Sequence, residues 1–150
     1  KVIINNVYFC SYRFIFLMKK IEHIGIAVKD LDVADALYEK LLGVTSYKTE
    51  HVESEGVKTA FFKIGTTKIE LLQATNETSP IAKFIDKKGE GMHHIAFAVA
   101  DINAEILRLE KEGFTVINKT PKRGADNKLV AFLHPKNTHG VLIELCQDLP

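Results

Sequence analysis

Cysteine is nearly missing from this 150-residue chain: Cys10 and Cys146 are the only two. Two cysteines make no disulfide framework and point to a reducing compartment, so a cytoplasmic location is expected. Neither stands in a Cys-x-x-Cys or Cys/His spacing, which argues against a thiolate zinc site. Cys146 reads instead as a small buried apolar residue. An excess of one charge sign is also missing, since 20 Lys and Arg against 19 Asp and Glu leave a net charge of +1. A nucleic-acid partner would show a basic face, and none is expected here. No long apolar run is present either. The stretch 14–18 is short and follows Arg13, so no membrane partner is expected. What is there, 46% hydrophobic and 26% charged residues, suits one globular domain with a core of its own.

Residues 1–17 contain no Gly, Ala or Pro, and they lack the apolar stretch and small-residue cleavage site of a signal peptide. Met18-Lys19-Lys20 looks like a start. The expectation is that 1–17 is a non-native or disordered extension without a role in function, and that 18–150 is a single domain.

Within that domain the chain repeats itself. His-Ile-Gly-Ile-Ala-Val at 23–28 recurs as His-Ile-Ala-Phe-Ala-Val at 94–99, 71 residues later. Lys-Ile-Glu-Leu-Leu-Gln at 68–73 recurs as Leu-Ile-Glu-Leu-Cys-Gln at 142–147, 74 residues later. A period this long means two copies of one supersecondary unit. In the first, a strand over 20–28 leads to a helix capped by Asp30 and Asp32, with Ala34, Leu37 and Leu41 on its inner face and Gly43 at its end. Strands over 44–52, 57–64 and 67–74 follow, with turns at Gly56 and Gly65. Ser79 and Pro80 open a linker helix, about 79–88, that ends at Gly89 and Gly91. The second copy gives a strand over 93–99 and a helix over 101–112 with Ile102, Ile106 and Leu109 inward. Strands over 115–118, 129–134 and 140–146 complete it. The polar stretch 121–127 around Gly124 reads as a mobile loop. The fold class is α+β: two tandem βαβββ modules, about 19–75 and 91–148, forming an open half-barrel cleft.

The repeat places His23 and His94 on the first strands and Glu70 and Glu144 on the last. Side chains alternate along strands, so matched positions point to matched faces. A carboxylate inside an apolar run such as Ile69-Glu70-Leu71-Leu72 is costly to bury unless it is paired or metal-bound, and the repeat does it twice. His23, Glu70, His94 and Glu144 are therefore the expected ligands of one divalent metal ion. Two imidazoles and two carboxylates suit Co²⁺, Zn²⁺, Mn²⁺, Ni²⁺ or Fe²⁺ without choosing among them. Four ligands leave an octahedral ion two places for substrate oxygens, which favours proton abstraction beside a carbonyl over redox chemistry. His93 should face away from His94. His51, His134 and His139 have no repeat partner.

These residues resemble the vicinal-oxygen-chelate superfamily, the fold of glyoxalase I and the extradiol dioxygenases. Within it, roughly 19–147 resembles the methylmalonyl-CoA epimerases, carried most sharply by Ser-Pro-Ile-Ala at 79–82 and Phe-Leu-His-Pro at 132–135. The resemblance implies interconversion of (2R)- and (2S)-methylmalonyl-CoA through a metal-chelated enolate. It implies His23, Glu70, His94 and Glu144 as metal ligands, an acyl-CoA substrate and a homodimer. Some epimerases carry Gln where Glu70 stands and a separate Glu where this chain has Thr59, which cannot act as a base. Glu144 is then the expected acid/base, with Glu70 or a water as the other. Lys122, Arg123 and Lys128 are candidates for binding acyl-CoA phosphates. A glyoxalase I-type lactoylglutathione lyase shares the same quartet. An extradiol dioxygenase would not need Glu70, and a metal-free binding or resistance module would need none of the four.

Overall fold

The computed structural model describes residues 18–150; the expectation for 1–17 lies outside the described residues. Its elements follow the expected order twice. The first module runs β1 (Met18–Ala27), α1 (Leu31–Leu42), β2 (Lys48–Val52), β3 (Val57–Ile64) and β4 (Thr67–Ala74). Helix α2 (Pro80–Lys88) links it to the second: β5 (Gly91–Val99), α3 (Ile102–Lys111), β6 (Lys122–Arg123), β7 (Lys128–Leu133) and β8 (Leu142–Asp148).

The two modules share one curled eight-stranded sheet, ordered β2-β3-β4-β1-β5-β8-β7-β6. In each, the first strand pairs in parallel with the last, β1 with β4 and β5 with β8, and the modules join where β1 runs antiparallel to β5. The half-barrel is thus a single continuous sheet about a pseudo-twofold axis, with β2 and β6 as its edges.

Alternation along the strands separates the two faces. Ala60, Phe62 and Leu71 pack under α1 with Val28, Leu31 and Ala34. Ala131, Leu133 and Leu145 pack under α3 with Ile102, Ile106 and Leu109. Burying each large side chain contributes about 1.5–3 kcal/mol. The alternate residues, Phe61, Glu70 and Leu72 in one module and Val130, Phe132 and Glu144 in the other, face the concave side.

Helix starts are tied to the sheet in the same way twice. Asp30 and Asp101 cap α1 and α3 through backbone N–H groups. The N–H of Leu31 donates to Gln73 Oε1 at 2.9 Å and that of Ile102 to Gln147 Oε1 at 2.8 Å, so the last strand of each module holds its helix. Gly43 closes α1 at φ 69°, a left-handed conformation that favours glycine.

Four local expectations are corrected. Helix α1 turns Leu31, Ala34, Tyr38 and Leu42 inward, whereas Leu37 and Leu41 are 60% and 70% exposed. The strand expected over 115–118 reduces to a bridge between Val116 and Leu133. The strand expected from 44 begins only at Lys48, and part of the loop over 121–127 pairs with β7 as β6.

Candidate metal centre

The concave face encloses a cavity of about 330 Å³. His23, Glu70, His94 and Glu144 line it, and all four are buried. Register explains the convergence. Glu70 pairs with Gly25 across β1–β4, and Glu144 with Ala96 across β5–β8. At the junction His94 lies opposite Gly25 and His23 opposite Ala96. The small partners make room for the rings, and at Gly25 any Cβ would overlap the His94 imidazole.

His23 Nε2 lies 2.9 Å from His94 Nε2, 3.2 Å from Glu70 Oε2 and 3.7 Å from Glu144 Oε2. His94 Nε2 lies 3.5 Å from Glu70 Oε2 and 3.3 Å from Glu144 Oε2. The four side chains that the repeat singles out therefore lie side by side in the cavity. Burial alone would lower the pKa of His23, but the charges of Glu70 and Glu144 raise it well above the usual imidazole value. Burial would raise the pKa of Glu70, yet the imidazoles of His23 and His94 hold its carboxyl well below the usual range.

The donor set fits a divalent cation. Atoms bound to one ion at about 2.1 Å stand roughly 3.0–3.4 Å apart, close to the spacing found. The ligand atoms of His23, His94 and Glu144 all lie within 4.8 Å of one another. Two ring nitrogens facing each other between two carboxylates is a borderline-to-hard environment. Glu70 keeps its other oxygen, Oε1, for the buried Thr59, whose hydroxyl donates to it at 3.0 Å.

Two residues beside the quartet were not anticipated. The ladder between β1 and β5 slips once at Glu22, between Ile21 and His23, and once at His93, between Met92 and His94. A bulge breaks strict alternation, so both residues line the cavity with the histidines that follow them. Glu22 Oε2 accepts from His23 Nδ1 at 2.5 Å. His93 Nδ1 lies 2.9 Å from His94 Nδ1, which corrects the expectation that His93 faces away. Burial pushes the pKa of His93 down to about 4 and keeps it neutral. The pairing of positions 22 and 93, spaced like the two histidines, was the signal that could have found them.

The three cationic candidates separate. Lys122 and Lys128 line the cavity and Arg123 does not; it donates to Asn127 Oδ1 at 3.0 Å. Lys122 pairs with Glu55, and Lys128 pairs with Asp148 and with Glu22 at 3.2 Å. Between β6 and β7, Asp126 reaches the opposite sheet edge. It accepts from Lys68 Nζ at 2.7 Å and from the Tyr47 hydroxyl at 2.9 Å. Cys146 is buried as expected, and burial pushes its thiol pKa up to about 12. No described helix is long and apolar enough to cross a membrane.

Known proteins resemble this chain in sequence and in fold. The family model of the Glyoxalase/Bleomycin resistance protein/Dioxygenase superfamily matches residues 22–132. The mitochondrial methylmalonyl-CoA epimerase of Homo sapiens is 42% identical over 129 residues, 85% of this chain and 73% of that protein. The ethylmalonyl-CoA/methylmalonyl-CoA epimerase of Cereibacter sphaeroides is 41% identical over 133 residues, 87% of this chain and 99% of that one. A structure of the Streptomyces coelicolor methylmalonyl-CoA epimerase in complex with 2-nitronate-propionyl-CoA superposes with a TM-score of 0.84 at 39% identity. It covers 87% of this chain and 95% of the other. On the sheet, the repeat and these likenesses together, the chain belongs to the Glyoxalase/Bleomycin resistance protein/Dioxygenase superfamily and, within it, to the methylmalonyl-CoA epimerases.

Proposed function

We propose that this chain interconverts the (2R) and (2S) epimers of methylmalonyl-CoA by removing the C2 proton and returning a proton to the opposite face. The observation that carries the reading is the meeting of His23, Glu70, His94 and Glu144 at one point of a cavity in a chain of this family. Those four residues would hold one divalent ion, with Co²⁺, Zn²⁺, Mn²⁺, Ni²⁺ and Fe²⁺ all compatible. When bound, the ion supplies Lewis-acid stabilisation of the negative charge that grows on the substrate's oxygens.

A 1,1-proton transfer needs a group on each face of a planar carbon. Glu144 and Glu70 come from opposite modules and reach the cavity on either side of the β1–β5 junction. Glu144 takes the proton on one face, and Glu70, or a water it holds, returns one on the other. A positioned carboxylate contributes about 10²–10⁴-fold to such a step. Thr59 holds Oε1 of Glu70, which leaves Oε2 turned to the imidazoles. The apolar walls, among them Leu72, Ile81, Val130 and Phe132, limit the water that reaches the reacting carbon.

Lys122, Arg123 and Lys128 gather positive charge on the β6–β7 side for the acyl-CoA phosphates. On binding, Lys122 exchanges Glu55 and Lys128 exchanges Asp148 for phosphate. A homodimer belongs to the same reading, and light scattering on the purified protein measures it. The decisive experiment offers purified, metal-supplied protein either methylmalonyl-CoA or methylglyoxal with glutathione. Turnover of the CoA thioester is the expected result, and turnover of the hemithioacetal alone would overturn the assignment.

A further inference from the structure

Each cavity histidine uses its second ring nitrogen on the residue just before it in sequence, and the two partners differ in charge. His23 Nδ1 meets the Glu22 carboxylate at 2.5 Å. His94 Nδ1 meets the His93 ring nitrogen at 2.9 Å. Both partners reach the concave face because the β1–β5 ladder slips at 22 and again at 93. The pseudo-twofold axis thus relates an acid to an imidazole.

Glu22 is buried to 2% exposure, and each of its oxygens is engaged. Oε2 faces His23, while Oε1 accepts from Lys68 Nζ and lies 3.2 Å from Lys128 Nζ. Two ammonium groups on one oxygen keep the carboxylate anionic and fix its orientation. An anionic acceptor at Nδ1 demands that this nitrogen carry the ring proton. With an ion bound, Nε2 would then offer its lone pair to that ion. It also makes the His23 ring more electron-rich than His94, whose partner is half-buried His93, held edge-on by Phe84 with ring centres 4.9 Å apart.

We propose that Glu22 is a positioning residue: it locks His23 in the Nδ1–H tautomer and makes it the stronger of the two imidazole donors, an inequality that the sequence repeat alone conceals. This inference rests on the reading of His23 as a metal ligand. It adds a second layer of residues to that site, in which one half is supported by charge and the other by a neutral ring.

The test uses Zn²⁺ alone, titrated against a chromophoric chelator into the full chain and into Glu22→Gln, Glu22→Asp and His93→Gln. Loss of such an outer partner typically weakens metal binding about 10–100-fold. That loss is expected for Glu22→Gln, with most of it recovered in Glu22→Asp and a smaller loss in His93→Gln. Nitrogen-15 spectra of the unsubstituted, Zn²⁺-loaded protein need no variant to fold. They should show His23 with its proton on Nδ1, at lower field than the ring proton of His94. Unchanged Zn²⁺ affinity in Glu22→Gln would overturn the inference while leaving the site intact, whereas a His23 proton on Nε2 would overturn both, because that nitrogen could then not bind the ion. Failure of the unsubstituted chain to bind Zn²⁺ would overturn the site reading itself and the inference with it.

Discussion

Thr59 and Glu70 sit diagonally across the β3–β4 ladder, where Thr59 faces Leu72 and Glu70 faces Phe61, and the threonine hydroxyl reaches Glu70 Oε1 at 3.0 Å. Both residues are buried, so the threonine hydroxyl serves one oxygen of that carboxylate while the imidazoles of His23 and His94 stand at the other. Replacing Thr59 by Val keeps the shape and removes the donor. The expected result is a loss of about 1–3 kcal/mol in urea unfolding, together with weaker metal binding. A Thr59→Ser variant, which keeps the hydroxyl, should restore most of the metal binding.

Glu144 and Glu70 are the groups assigned to move the C2 proton. Glu144→Gln preserves size and removes the base, and epimerisation should fall by about 10²–10⁴-fold. The same change at Glu70 should fall short of that if a water substitutes on its face. Full activity in Glu144→Gln, followed by circular dichroism or by coupling to a stereospecific enzyme, would remove the base role from this residue.

Gly25 is required for space rather than for backbone freedom. A methyl group there would overlap the His94 ring, and the ring would have to leave the cavity centre. Gly25→Ala is expected to weaken binding of added Zn²⁺ by at least 10-fold, with the protein still folded. Calorimetric titration measures it, and unchanged affinity would show that His94 moves without consequence.

Asp126 joins the two edges of the half-barrel. Burial alone would raise its pKa, but hydrogen bonds from Lys68 and Tyr47 outweigh that and hold it below the ordinary carboxylate value. A depressed folded-state pKa stabilises the fold above the unfolded value, about 3.9, and that stabilisation is lost as pH falls through the folded value. Stability should therefore decline below about pH 4, and Asp126→Asn should flatten that part of the curve. Chemical denaturation at stepped pH tests the sign. A decline equally steep in the variant would assign it to other carboxylates.

Much of this was legible in the sequence because a duplicated unit carries its own check. His23 with His94 and Glu70 with Glu144 could be matched without knowing any distance, and the period-two rule put them on one face. What stayed hidden lay where that rule fails. Strict alternation turns Glu22 and His93 away from the histidines, and only the ladder slips bring them round. Helix α1 offered two apolar stripes of similar quality. The sheet chose the one with Tyr38 and Leu42, leaving Leu37 and Leu41 outside. The partners of Lys128 and Asp126 come from distant strands, and no local pattern encodes them.

The most direct measurement is deuterium wash-in at C2 of methylmalonyl-CoA in D₂O, using chelator-stripped protein before and after one equivalent of divalent metal is restored. Exchange should be absent from the stripped protein and return with metal, and it should stay absent when His23→Ala is given the same metal. Rapid exchange by the stripped protein would contradict the account, because the four converging side chains would then not be acting as an ion's ligands.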